Sequence, residues 1–219
     1  MKLTVAPLTP DRWADLETVF NGRGCSFARN CWCMEYRYDR NRPTPKAGES
    51  PADANRRAMK ALVESGSTPG LIGYHGKTPV GWVSLAPREE YGRLKRSSVM
   101  KAVDDKPVWS VICFVVPSEY RHQGIAAALL KAAVGWAKKN GARIVEAYPI
   151  DKDTRSSDGF MWFGAKSMYD KAGFEEVARH KLQRPIVVEL NKPPVDGFDR
   201  FFLLRRGHAP GTIVKQTAD

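Results

Sequence analysis

No apolar run in this sequence approaches the ~20 residues that a helix needs to cross a bilayer, so a membrane-spanning helix is not expected. The opening stretch, MKLTVAPLTPDRW, lacks the apolar centre of a secretory signal, and a soluble cytoplasmic protein is the expectation. Internal repeats and low-complexity segments are missing too. Cysteine is scarce, at four residues: Cys25, Cys31, Cys33 and Cys113. Without a secretory signal they are expected to stay reduced. The first three are spaced C-x5-C-x-C, which lacks both the fourth ligand and the closer spacing of a structural zinc site, so no metal is expected. No histidine lies near them in sequence to activate a nucleophilic thiol.

What is present is a chain of 219 residues, 42% hydrophobic, long enough for one domain with a sizeable core and an appendage. Lys and Arg number 35 against 24 Asp and Glu, a net charge of +11, which suits an anionic ligand. The basic excess is spread out, with no run of five or more, and no appended RNA-binding motif occurs. A nucleic-acid partner is therefore not expected.

The stretch from Val108 to Tyr148 organises the rest. Its apolar run, Val108 to Val116, ends at Pro117. The loop Arg121-His122-Gln123-Gly124-Ile125-Ala126 comes next, then a helical pattern to Gly141 and a second apolar run, Ile144 to Tyr148. A strand buried on both faces reads this way, as does a helix with Ile125, Leu129, Ala132, Ala133 and Trp136 on its inner face. A loop that opens a helix offers unpaired N–H groups and the positive end of the helix dipole to an anion. Gly124 and Ala126 leave room for a diphosphate to approach the backbone, and Arg121 adds a forked cation.

This R-x-x-G-x-A loop after V-V-P resembles the acetyl-CoA loop of the GCN5-related N-acetyltransferases, the GNAT superfamily. A second motif occurs later. Ala165, Tyr169 and Gly173-Phe174 fit A-x-x-x-Y-x-x-x-G-F of the same superfamily. The resemblance implies a mixed α/β fold: a central twisted mixed sheet with splayed parallel strands, flanked by helices. It covers roughly residues 1–190, most firmly 108–177. Residues 191–219 form a C-terminal extension. Its Phe198, Phe201, Phe202, Leu203 and Leu204 call for a cover, from the domain or from a second copy in a homodimer.

The remaining elements are expected as follows. Leu3 to Leu8 form a strand, and Thr9 and Pro10 start a helix with Trp13, Leu16, Val19 and Phe20 on one face. Cys31 to Tyr38 is too apolar for an ordinary loop and is read as an acceptor-side wall, with core packing as the alternative for each residue. Ser50-Pro51-Ala52-Asp53 caps a helix to about Ser65. Leu71 to Tyr74 and Val80 to Leu85 form a hairpin. The charged segment Arg88 to Lys106 is read as a solvated loop or short helix near the site mouth. Arg184 to Val188 supplies a last strand.

The resemblance also implies roles. The backbone from Arg121 through His122, Gln123, Gly124 and Ile125 to Ala126 binds the pyrophosphate of acetyl-CoA. The pantetheine arm pairs with the strand edge at Phe114, Val115 and Val116, where the N–H of Val115 or Val116 polarises the thioester. Tyr169 protonates the leaving thiolate. The base stays open. Glu146 is the one acid in its strand, where burial raises an acid's pKa, and Asp158 lies near where some relatives place a base, though it also suits a helix N-cap. Glu35, Glu89 or a water chain are further candidates. Trp162 stands where many relatives carry an Asn that contacts the cofactor. The implied activity is acetyl transfer to a primary amine of a small molecule or peptide. The alternatives are a non-catalytic acyl-CoA sensor and an acetyltransferase acting on RNA or a ribosomal protein.

Overall fold

In the computed structural model the described residues are 3–152, 161–181 and 184–190. Asp158 and the extension 191–219 lie outside them. Seven strands form one open sheet in the order β1-β2-β3-β4-β5-β7-β6. They are β1 (Thr4–Pro7), β2 (Gly70–His75), β3 (Thr78–Pro87), β4 (Trp109–Val115), β5 (Ile144–Ala147), β6 (Glu175–Lys181) and β7 (Arg184–Leu190). Only β4 and β5 pair in parallel, and every other neighbour is antiparallel. Among the described residues five α-helices flank the sheet: α1 (Trp13–Asn21), α2 (Ser26–Cys31), α3 (Pro51–Glu64), α4 (Ile125–Lys139) and α5 (Lys166–Lys171). Among the described residues no helix is long and apolar enough to cross a membrane.

The hydrophobic periodicity of α1 and α4 decides which faces they bury. Trp13, Leu16, Val19 and Phe20 of α1 are buried on one face of the sheet. On the other, Leu129, Leu130 and Ala133 of α4 are fully buried with Val80, Val83 and Leu85 of β3. Each such leucine contributes ~1.5–3 kcal/mol by leaving water. The α4 contact depends on Gly81, where a Cβ would lie 2.9 Å from Ile125 Cγ2 and 3.0 Å from Leu129 Cδ1.

Two expectations are corrected here. Thr9 stands at the N-cap with Pro10 after it, but what they open is a 3-10 turn and the Thr9 side chain makes no capping bond. Pro10–Arg12 form a 3-10 turn, Thr9 Oγ1 accepts from Arg12 Nη1 at 2.6 Å, and α1 begins only at Trp13. The segment after Pro87 is not simply a solvated loop. It folds into two 3-10 turns, Arg88–Glu90 and Gly92–Arg96, with Tyr91 and Leu94 buried in the core. At α3 the sequence signal holds in full: Ser50 and Asp53 make a reciprocal capping box, with Pro51 opening the helix.

The site is positioned by the brevity of the parallel pairing. β4 and β5 are in register only from Trp109↔Val145 to Val111↔Ala147 and then part. Residues 161–165 enter the gap. Phe114 N–H donates to the Trp162 carbonyl at 2.7 Å, Ile150 N–H to Gly164 at 2.9 Å, and Ile150 bridges Ala165. Gly164 sits at φ +80°, and a Cβ there would lie 2.6 Å from Met168 Cε and 3.2 Å from the Tyr169 ring.

Candidate functional site

A cavity of about 1100 Å³ opens where the strands part, lined by the end of β4, the start of α4, α2 and the arm after it, and residues 161–168. Pockets for small ligands commonly span roughly 300–1,000 Å³, so this one has room for a nucleotide-sized ligand together with a second molecule.

One end is the loop before α4. Gly124 takes φ +76° as the residue preceding the helix, and a Cβ there would meet nothing within 4 Å, so its Cα faces open space. The first bond of the α4 ladder runs from Ala128 N–H to the Gly124 carbonyl. The N–H groups of Ile125, Ala126 and Ala127, all on the cavity wall, therefore have no partner within the helix. His122 lies beside them at φ +60°. Arg121 contributes as a brace: its Nε donates to the Val116 carbonyl at 2.9 Å and its Nη2 to Gly24 at 2.8 Å. Ser118 N–H bonds the Arg23 carbonyl, so the turn after α1 clamps this loop. The Gln123 side chain turns back to the Glu119 carbonyl at 2.9 Å and is not part of the wall. Tyr120 and Ala127 do line it and were not singled out from the sequence.

Phe114, Val115 and Val116 line the cavity as expected of the strand edge. The N–H of Phe114 is spent on Trp162, and backbone groups on one edge of a strand recur every second residue. Val116 N–H therefore shares the edge of Phe114, and Val115 N–H points toward β3. Trp162, which replaces the Asn of many relatives, acts here through its main-chain carbonyl.

The wall opposite the loop comes from segments with weaker sequence signals. Phe27 and Trp162 meet at 6.1 Å between ring centroids, Trp162 and Phe163 at 6.0 Å, and Phe163 and Tyr36 at 5.6 Å. Arg93 lies over the Tyr36 ring at 5.6 Å. It pairs with Glu35, which also accepts from Arg42 Nη2 at 2.7 Å. All four cysteines line the cavity. Hydrogen bonding among the thiols of Cys31, Cys33 and Cys113, with burial, holds Cys31 and Cys33 well above the ordinary thiol range, and burial raises Cys25. Protonated thiols are poor nucleophiles. Among the described residues no group of three or more His, Cys, Asp or Glu is arranged to hold a metal ion. Trp32 and Cys33 both adopt positive φ, at 47° and 51°. Non-glycine residues in that region carry strain and gather at functional sites.

The sequence-derived proton carriers lie elsewhere. Tyr169 is fully buried between α4 and Phe174, off the cavity wall, and its hydroxyl donates to the Phe163 carbonyl at 2.8 Å. Burial pushes its pKa far up. Glu146 is likewise off the wall, at 3% exposure, where it accepts from Arg88 and from the Tyr148 hydroxyl. Burial raises its pKa against the pull of Arg88. Arg88 Nη2 also donates to the Met100 carbonyl at 2.7 Å, so this cluster ties the segment after β3 to β5. Asp158 lies outside the described residues, and Glu89 is not part of the wall. Glu35 is the one carboxylate on the wall among the described residues.

Known proteins match this fold and part of this sequence. A family model described as the acetyltransferase (GNAT) family matches residues 32–174. A search of curated proteins gave no match. Among solved structures, an acetyltransferase of the GNAT family from Streptococcus agalactiae 2603 is similar with a TM-score of 0.50 at 10% identity, over 87% of this chain and 96% of that one. An N-acetyltransferase from Staphylococcus aureus Mu50 gives 0.49 at 12% identity, over 88% of this chain and 100% of that one. The PaiA N-acetyltransferase of Thermoplasma acidophilum, in complex with coenzyme A, gives 0.47 at 19% identity, over 87% of this chain and 99% of that one.

Proposed function

Because the chain belongs to the acetyltransferase (GNAT) family, we propose that it transfers the acetyl group of acetyl-CoA to a primary amine of a small molecule or peptide, by direct attack in a ternary complex. The observation that carries this reading is one cavity joining an open helix N-terminus, a parted strand edge and a separate aromatic and charged wall. The cofactor takes the first two and the amine the third.

In this reading the pyrophosphate rests on the N–H groups of Ile125, Ala126 and Ala127, with Gly124 giving access, His122 and Gln123 flanking, and Arg121 holding the loop. The pantetheine arm follows Phe114 to Val116, and Val116 N–H polarises the thioester carbonyl. The amine adds to that carbonyl, the C–S bond breaks, one amine proton passes to solvent water, and water returns a proton to the departing coenzyme A thiolate. Among the described residues Glu35 is engaged by two arginines, and Glu146 and Tyr169 are enclosed away from the wall, so the route they leave for the amine's proton is through water at the open cavity mouth, with Asp158, outside the described residues, as the other candidate base. Tyr169 then holds residues 161–165 in place.

The test is acetyl-CoA binding by calorimetry, alongside mass-spectrometric detection of acetylated amine and free coenzyme A. Binding with turnover of some primary amine is expected. Tight binding without turnover of any amine supports the sensor reading instead. Gly124→Val should abolish binding while the fold persists. Its side chain enters the space assigned to the diphosphate, and a β-branched residue at that φ adds ~1–2 kcal/mol of strain. Unchanged affinity removes the loop from the site.

A further inference from the structure

The contacts along the acceptor wall form an ordered series. Phe27 touches Trp162, Trp162 touches Phe163, Phe163 touches Tyr36, and Arg93 covers Tyr36. The series ends at Glu35 with Arg42 and Arg93 on either side of it. Phe27, Trp162 and Tyr36 of this series line the cavity, with Phe163 buried behind them, and lead to the pair of guanidiniums on the same wall. Each guanidinium has five N–H donors, far more than one shared carboxylate uses. Glu35 neutralises one arginine of the pair and leaves a net positive charge, which suits an anion. Planar guanidiniums hold a carboxylate by two parallel N–H···O bonds.

The pair belongs to different segments from the loop assigned to the cofactor's phosphates: Arg93 sits in the 3-10 turn after β3 and Arg42 in the arm after α2, whereas that loop leaves β4 after Val116.

We infer that the acceptor is an amine that carries a carboxylate and an apolar or aromatic body, of the kind found in aromatic and large aliphatic amino acids. The carboxylate docks on Arg42 and Arg93 with the body along Phe27, Trp162 and Tyr36. Glu35 positions the two guanidiniums. This rests on the acetyl-transfer reading above.

The experiment compares kcat/KM, with acetyl-CoA and the full chain, for L-phenylalanine, its amide and the decarboxylated phenethylamine, and for the same three forms of leucine. The free acids should exceed the uncharged forms at least tenfold, about 1.4 kcal/mol. Arg42→Met, at a side chain 66% exposed, and Arg42→Met with Arg93→Met should bring that ratio toward one, with acetyl-CoA affinity and thermal melting measured beside it. Uncharged amines acetylated as fast as the acids overturn the inference and leave acetyl transfer standing. A loss of acetyl-CoA affinity in the double variant, with the preference for acids kept, also overturns it, since the pair then serves the cofactor. Acetyl-CoA binding with no amine acetylated removes both readings.

Discussion

Tyr169 keeps its hydroxyl proton on the carbonyl of Phe163, inside the packing of Phe114, Phe174 and Gly164. Tyr169→Phe therefore removes one buried hydrogen bond, worth roughly 1 kcal/mol. The expected outcome is a lower melting temperature and a fall of a few fold in kcat, with the shape of the pH profile kept. A fall of ~10²–10⁴ with loss of the basic limb identifies a proton donor instead. Glu146 and Arg88 give a second residue-scale prediction. Arg88→Met strands a buried carboxylate and should cost ~3–5 kcal/mol, read as a drop in melting temperature. Because burial raises the pKa of Glu146, the folded chain holds its proton more tightly than the unfolded chain does. Stability is then greatest below the ordinary carboxylate range and declines as pH rises through the raised value. Without Arg88 that decline should steepen, and Glu146→Gln in the same background should flatten it.

The elements that frame the cofactor end were legible because their signals are local and periodic. Ile125, Leu129 and Ala133 on the inward face of α4, the Gly124 turn, the capping box of α3 and the strand β4 all read correctly, since each depends on spacing within one segment, while Leu130 and Ala137 complete that face and Ala132 and Trp136 are half-buried. The acceptor wall was harder. The six residues of α2 are too few to show a period. Arg88, Arg93 and Arg96 look like a solvated run, yet they reach Glu146, Glu35 and Asp39, which are distant in sequence. No composition reveals such partners. The loop before α4 is likewise secured from afar, by Gly24 and Arg23. Arg121→Lys keeps the charge but loses the fork that reaches both Val116 and Gly24. It should weaken acetyl-CoA binding several fold and raise amide exchange across residues 117–124. Arg57 does for α3 what Arg121 does for that loop, pulling Glu49 down to about 2. This tie is complete above the ordinary carboxylate value and is lost as pH falls from there through about 2. Amide protection at the start of α3 should fall there, and Arg57→Met should remove the dependence.

At the scale of the whole molecule, the sheet separates two hydrophobic clusters of the described residues. α4 and its hydrophobic cluster build one face, and α1, α2 and α3 with the tryptophans Trp13, Trp32 and Trp82 build the other. The cavity draws on both faces, because the parting of β4 and β5 opens a passage between them. The motifs that carried the family resemblance sit around that passage. The thiols add a practical consequence. With every cysteine of the chain on the wall of one cavity, an organomercurial, which takes protonated thiols, works as an occupancy gauge. The rate of mercury binding at Cys31, the one cysteine that is not fully buried, should slow in proportion to the fraction of protein holding coenzyme A. A non-hydrolysable acyl-CoA with a candidate acceptor should slow it further. Ranking amines by that protection turns the search for the natural acceptor into a footprinting measurement that needs no turnover.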